Sequence, residues 1–277
     1  MAARHGPGVR LTVLGSGSRG NALVVESGGE ALLVDAGFSF RDLAARCAAA
    51  GVDPGLLRGL VLTHEHGDHT RGAARAAARW ALPVAASRGT LAALPPGLLR
   101  TIRTVALESA RPVAVAGFRL TAYPTAHDAR EPIVLVVEDG EGRRVGVAYD
   151  VGSPTTALRH AIRGLDALVL EANHDEVLLR GSEYPPTVRA RIAGRAGHLS
   201  NREAAELAAS AAHPDLGLLV LAHLSDRCNR PDLARATVET ALHRTAFTGR
   251  VVVATQDTPT PFLEVGASQL PLPLLGR

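Results

Sequence analysis

The chain contains no lysine; all 30 of its basic residues are arginine. That absence removes a lysine Schiff base and a lysine phosphate ligand, so any phosphate clamp must use arginine, histidine or backbone N–H groups. Aromatic residues are scarce, at 3%, which argues against a base-stacking platform of the single-strand-binding kind. There are two cysteines, Cys47 and Cys228. Two make no disulfide framework in a chain of this size, and a reduced cytoplasmic setting is expected. The apolar runs are short and broken by glycine, proline or charge, so none is long enough to span a bilayer. Residues 1–10 carry no apolar stretch of the secretory type. What the chain does have is apolar residues enough for a substantial core, 46% of 277. A net charge of +3 is compatible with a polyanionic partner without establishing one.

One pattern recurs along the chain. A short run rich in valine and leucine ends in a residue able to bind metal or move a proton. Residues 60–63 run into His64, and 118–123 run, after a Pro-Thr-Ala turn, into His127. Residues 145–149 end at Asp150, 167–170 at Glu171, 218–222 at His223, and 251–253 near Gln256 and Asp257. Such runs, followed by turn signals, predict buried strands. Functional groups at their ends predict a site along one edge of the sheets, where loops gather.

The first part predicts a meander of strands at 9–14, 22–26 and 31–34. The glycines of 15–20 lack the Lys-Ser/Thr ending of a phosphate loop, so a tight hairpin is expected there. Helices are predicted at 40–50, 70–80, 155–163, 185–195, 201–212 and 230–244, with Asn201 as the cap of the fifth. Strands and helices alternate, which gives an α/β or α+β class with sheets covered by helices. A single domain is expected over 1–269, followed by a loose tail at 270–277 that holds two prolines.

His64, Glu65, His66, Gly67, Asp68 and His69 follow a predicted strand directly. Imidazole nitrogen and carboxylate oxygen are the usual ligands of Zn²⁺, Mn²⁺ or Fe²⁺. Alternate residues of an extended segment share a side, so His64 and His66 can reach one metal. Gly67 then permits the chain to turn, and Asp68 and His69 can face a second. Glu65 reads as a spacer or a supporting contact. Zn²⁺ and Mn²⁺ suit this donor set alike.

Residues 63–69, Thr-His-Glu-His-Gly-Asp-His, match a T-H-x-H-x-D-H signature, and on that ground the sequence resembles the metallo-β-lactamase superfamily over nearly its whole length. The resemblance implies a four-layer αββα sandwich with two divalent metals at one edge of the two sheets. It places His64, His66 and His127 on the first metal, Asp68, His69 and His223 on the second, and Asp150 between them. Asp35 matches an early structural aspartate. Two such cations ~3.5–4 Å apart hold a bridging hydroxide and lower the pKa of bound water to ~7. They also stabilise charge on a phosphoryl or carbonyl oxygen, and Asp68 is expected to orient the hydroxide. His66 stands where flavodiiron relatives carry Glu, which disfavours redox chemistry.

More local motifs narrow the substrate. Glu171-Ala-Asn-His174-Asp175 and Gly197-His198-Leu-Ser-Asn201 resemble the Glu- and His-bearing motifs of the phosphodiesterase branch that includes tRNase Z. The resemblance implies that the hydroxide attacks phosphorus while His198, oriented by Glu171, protonates the leaving alkoxide. Together with residues 14–21, 126–132 and 223–225, these motifs are similar to the YycJ (WalJ) group of bacterial proteins. That group implies 5′-to-3′ exonuclease activity on DNA and a place in mismatch repair. Residues 225–229 depart from it: Asp226-Arg227-Cys228 stands where the group carries lysine and acidic residues, and Arg227 could substitute as a phosphate contact. Arg180, Arg189, Arg191, Arg195 and Arg202 surround His198 in sequence and could meet phosphates, in a backbone-directed and salt-dependent way; a solvated helix face accounts for any one of them equally well.

Rival readings are a ribonuclease, a thioester or lactam hydrolase on the same metals, and a binding protein that merely carries metal. Glu171 and His198 argue against the hydrolases of acyl groups, and the full ligand set against the non-enzymatic reading. No long insertion separates Asp150 from Glu171, which argues against a β-CASP nuclease or a tRNase Z with an exosite arm there. His174 is expected to support the site from the Glu171 loop, and His5, His160, His213 and His243 to lie on the surface.

Overall fold

The computed structural model describes residues 8–95 and 102–266; the predicted tail at 270–277, and His5, lie outside them. Two seven-stranded sheets face each other. The first holds β1 (Arg10–Gly15), β2 (Ala22–Ser27), β3 (Glu30–Val34), β4 (Leu57–Val61), β5 (Val84–Ser87) and β6 (Thr104–Leu107), with β14 (Leu263–Glu264) added beside β1. The second holds β7 (Val113–Val115), β8 (Phe118–Pro124), β9 (Ile133–Glu138), β10 (Arg144–Ala148), β11 (Ala167–Glu171), β12 (Leu218–Ala222) and β13 (Arg250–Val253) in order 13-12-11-10-9-8-7. Each sheet is antiparallel on one side and parallel on the other: β3 to β6 and β10 to β13 run parallel.

Alternation along the strands builds three apolar layers. Leu11, Val13, Leu23, Val25, Leu135, Val137, Val147 and Val169 point between the sheets. The opposite residues of the first sheet, Leu14, Val24, Leu33, Leu60 and Leu62, pack under α1 (Phe40–Ala49) and α3 (Ala73–Arg79), which follows the one-turn α2 (Gly67–Thr70). Those of the second, Leu168, Leu170, Leu219 and Leu221, pack under α5 (Thr156–Ala161), α8 (Asn201–Ala211) and α9 (Pro231–Leu242). The remaining helices are α4 (Arg88–Ala93), α6 (Glu176–Arg180) and α7 (Pro186–Ile192). Strands buried on both faces explain the unbroken Val/Leu runs; each such side chain contributes about 1.5–3 kcal/mol by leaving water. The architecture is the αββα sandwich expected. Among the described residues no helix is long and apolar enough to cross a membrane.

Three local readings are corrected. The helix predicted at 70–80 is two pieces, because Gly72 sends its N–H to Ala36 O at 2.8 Å and a Cβ there would lie 2.3 Å from Phe38 O. The cap of α8 is Ser200 rather than Asn201: Ser200 Oγ accepts the Glu203 N–H and Glu203 returns a bond to the Ser200 N–H, a full capping box one residue earlier. Gly67 is not a special hinge either. Its φ is outside the left-handed region, and nothing lies within 4 Å of where its Cβ would be.

Candidate metal centre

The site sits at the carboxyl ends of β3, β4, β10, β11 and β12. Asp35, Asp150 and His223 follow three of these strands, and all adopt left-handed backbone, with φ of 58°, 47° and 55°. For non-glycine residues this costs on the order of 1–3 kcal/mol each, and it persists where surrounding contacts enforce it. Those contacts are visible. The Asp35-Ala36-Gly37 turn is pressed onto the histidine motif by Ala36 N–H to His69 O (2.7 Å) and Asn21 N–H to Asp68 O (2.8 Å). Gly37 allows it, since a Cβ there would lie 1.6 Å from Asp68 O.

Four histidines converge, each with Nδ1 held from behind. His64 Nδ1 lies 3.1 Å from Thr63 Oγ1, whose own hydroxyl donates to Asp35. His69 Nδ1 donates to Asp35 Oδ2 at 2.7 Å. His127 Nδ1 donates to the Gly197 carbonyl at 3.0 Å. His223 Nδ1 donates to Glu171 Oε1 at 3.0 Å. Carbonyl and carboxylate oxygens only accept, so the proton sits on Nδ1 and Nε2 is the ring atom that can face an ion. His66 differs: its Nδ1 lies 3.3 Å from His127 Nε2, and its side chain is 33% exposed.

The donor atoms form two groups able to hold a metal, His64 with His66 and His127, and Asp68 with His69, Asp150 and His223; within each, all lie within 4.8 Å of one another. All seven residues predicted from the sequence therefore meet. Asp150 links the groups, with Oδ2 at 2.6 Å from His69 Nε2 and 3.4 Å from His64 Nε2. Neither Asp150 oxygen is aligned for a hydrogen bond, and His64 Nε2 and His223 Nε2 have no partner, although all are buried. Unpaired buried polar atoms cost about 1–3 kcal/mol each, more when charged, so the donor set fits a cation.

Electrostatics agree with that fit. Burial opposes charge on His69, yet Asp150 and Asp35 on either side push it up to about 10. Burial also opposes charge on Asp150, but His223 and His69 hold it well below the usual carboxylate range. Asp68, half-buried beside His223 and His69, is held at about 2. Positive charge is favoured at this spot. His64 and His127 behave in the opposite way: burial drives both below the ordinary histidine value, so they stay neutral.

Beside the two groups stands His198, with Nδ1 2.7 Å from Glu171 Oε1 and 3.2 Å from Asp150 Oδ1. Geometrically Asp150, Glu171, His198 and His223 form a further cluster. Glu171 is nevertheless saturated: Oε1 takes His198 and His223, and Oε2 takes the N–H groups of Val151 (2.7 Å) and Leu199 (3.2 Å). It orients imidazoles and leaves no lone pair in the open for an ion. Burial would raise its pKa, but His198 and His223 keep it at about 2. Burial would lower that of His198, but Glu171 and Asp150 push it up to about 9.

Sequence reasoning missed several supports. Ser16 Oγ accepts the His223 N–H at 2.8 Å, and Asn21 Nδ2 lies 3.0 Å from His69 Nε2. Asn173 Nδ2 donates to the His223 carbonyl at 2.9 Å. Asp128, next to His127, has Oδ1 3.3 Å from His127 Nε2 and 3.8 Å from His66 Nε2. Glu65 accepts the Arg130 N–H at 2.7 Å, tying the motif to the His127 loop. His174 is buried, bridged through its backbone to Ser200. His160 and His243 are exposed, and His213 is half-buried against Leu165 O.

The predicted arginines divide into two sets. Arg191 is tied to Asp128 (2.8 Å), and Arg202 to Glu176 (3.0 Å) and Glu206 (2.7 Å). Arg189 donates to Arg180 O at 2.8 Å. Arg180, Arg195 and Arg227 are exposed. Among the described residues, Arg180, Arg189, Arg195 and Arg227 form no ion pair.

A His/Asp cluster at one edge of a four-layer sandwich defines a hydrolase of the metallo-β-lactamase fold. The profile of the Beta-lactamase superfamily domain matches residues 30–224, and the chain belongs to that family. Exodeoxyribonuclease YycJ of Bacillus anthracis is 31% identical over 242 residues, 87% of this chain and 91% of the relative. Ribonuclease Z of Mycobacterium sp. (strain KMS) is 30% identical over 251 residues, 78% of this chain and 84% of the relative. Zinc-bound PqqB from Methylobacterium extorquens superposes with a TM-score of 0.66 at 19% identity, covering 91% of this chain and 99% of that one, a likeness of fold.

Proposed function

We propose that this protein is a metal-dependent phosphodiesterase acting on nucleic acid, and specifically an exonuclease that degrades DNA from the 5′ end in the cytoplasm, in the service of DNA repair. The observation that carries the chemistry is the His198–Glu171 pair. His198 is 22% exposed, its ring lies 5.2 Å from those of both His127 and His223, and its Nδ1 is fixed by a carboxylate. Nε2 is thus the ring atom free to give a proton to a leaving sugar alkoxide, a need that a thioester's thiolate leaving group does not share. The choice of DNA rests on the likeness to exodeoxyribonuclease YycJ.

His64, His66 and His127 would hold one divalent ion, and Asp68, His69 and His223 a second, with Asp150 between; zinc and manganese suit them equally. Bound there, the ions supply Lewis acidity and an activated water near neutral pH. Asp68, 3.6 Å from His223 Nε2 and ionised, would accept a hydrogen bond from that water and orient it. Glu171 fixes His198 and His223 together. Exposed arginines meet the sugar-phosphate backbone without reading bases.

The likeness to ribonuclease Z favours RNA as a second reading. One assay separates the two. The protein is incubated with Mn²⁺ or Zn²⁺ and 5′-phosphorylated duplex DNA, single-stranded DNA or RNA, with a thioester and a β-lactam in parallel. Mononucleotide release from DNA is expected. His198→Ala should retain its metals and lose roughly 10²–10⁴-fold in rate. RNA cleavage alone moves the conclusion to the second reading; thioester or lactam turnover alone, or an unimpaired His198→Ala, overturns it.

A further inference from the structure

Past the end of β12, on the loop that follows His223 and the segment after α6, lies a hollow of about 400 Å³ lined by Gly181, Ser182, Glu183, Tyr184 and Arg227. We propose that it is a subsite for one nucleotide of the substrate strand, with Tyr184 stacking on the base and Arg227 holding a phosphate. The proposal rests on the nucleic-acid reading above.

Position comes first. Arg227 is four residues beyond His223, which bounds the separation of their Cα atoms at about 14 Å. The turn after His223 is fixed, since Asp175 N–H donates to Cys228 O at 2.8 Å and Asn229 Nδ2 to Ala172 O at 2.8 Å. One strand can therefore reach both the cluster and the hollow. The opposite wall is also preset. Arg189 Nη1 donates to Arg180 O at 2.8 Å, and Ser182 Oγ to Leu179 O at 2.8 Å. A prearranged wall saves the ordering cost of binding.

Charge comes second. The neighbouring carboxylate, Asp226, is occupied by Arg19 at 3.3 Å. Among the described residues Arg227 meets no carboxylate within ion-pair distance; its guanidinium carbon stands 5.5 Å from the centroid of the Tyr184 ring. Two other such stacks among the described residues, Arg46 on Phe38 and Arg10 on Phe262, are closed at 4.0 Å. The Tyr184 stack is looser. A base entering as a middle layer needs two contact spacings of about 3.5 Å, so the exposed Arg227 must swing out by roughly 1.5 Å. Glu183 repels a phosphate from its own end of the hollow and places it at Arg227; its carboxylate can accept from a base amino or sugar hydroxyl group. The volume lies within the 300–1,000 Å³ of small-ligand sites.

The test needs no catalysis. Thymidine 5′-monophosphate and ribose 5-phosphate are titrated calorimetrically into the full-length protein stripped of metal with EDTA. The wild type should bind the nucleotide at millimolar concentration and the sugar phosphate more weakly. Tyr184→Leu should weaken nucleotide binding by roughly 5- to 150-fold, the range for one stacked base, and erase the preference over ribose 5-phosphate. Tyr184→Phe should keep it. Arg227→Gln should weaken both ligands, with melting curves showing each variant folded. No saturable nucleotide binding at millimolar concentration, or equal binding by Tyr184→Leu, overturns the subsite. A metal-loaded wild type that binds the nucleotide here but cleaves neither DNA nor RNA instead overturns the nuclease reading.

Discussion

His69 and His223 lean on the carboxylates Asp35 and Glu171, whereas His64 and His127 lean on a hydroxyl and a backbone carbonyl. On the first side buried negative charge surrounds the donors and favours positive charge at the centre. On the second, burial and the neighbouring histidines outweigh the pull of Asp150, and His64 and His127 stay neutral. The neutral side is also the more open, with His66 unanchored and Asp128 shared with Arg191. A carboxylate behind an imidazole fixes its tautomer and raises its basicity. The anionic side should therefore hold its ion tightly, and the neutral side should lose its ion first to a chelator.

The largest effect should come from the one carboxylate the two sides share. Asp150→Asn removes charge 2.6 Å from His69 Nε2 and 3.4 Å from His64 Nε2. Metal content per chain should fall on both sides, and hydrolysis by about 100-fold or more. Loss of one ion with the other retained would show that the sides are independent.

A smaller effect sharpens the same comparison. Asp35→Asn keeps an acceptor for the Thr63 N–H but removes the charge behind His69. It should weaken metal affinity about 10- to 100-fold. Asp128→Asn, on the open side, should weaken it only a few-fold. Competition with a chromogenic chelator measures both. Equal shifts would mean that buried charge does not distinguish the two sides.

What the sequence made legible follows the same division. Residues 64–69 could be read directly, because four candidate donors sit within six positions and strand alternation assigns their sides. His127, Asp150 and His223 stand out as polar ends of apolar runs, but their assignment to the metals comes only through resemblance, since their meeting depends on three separate strand ends. Ser16, Asn21 and Asp128 were not legible. Ser16 reaches His223 across 207 residues, and no local pattern marks a lone serine in a glycine loop. The surroundings of the arginines were no more legible: Arg191 finds its carboxylate 63 residues away. In the fold, the long Val/Leu runs were placed to within a few residues. The four-residue β5 and β6, by contrast, are too short for periodicity to show.

The smallest effect isolates what makes Asp150 unusual among buried carboxylates. Asp139, at the turn between β9 and β10, is also buried, but protein donors surround it: the N–H groups of Glu141 (3.0 Å) and Arg143 (2.8 Å), Ser27 Oγ (2.8 Å) and the Arg143 guanidinium (3.3 Å). Burial opposes its charge, yet those donors hold it below the usual aspartate value. Its ionised form is thus favoured in the folded state. That contribution is full above the unfolded value of about 3.9 and is lost as pH falls through the lower folded value. Asp139→Asn should therefore cost about 1 kcal/mol in urea unfolding at neutral pH, and less in acid, with metal content unchanged. A penalty independent of pH would remove the charge from the account. A loss of metal would mean that the hairpin, and not only the strand ends, holds Asp150 in its left-handed backbone at the end of β10.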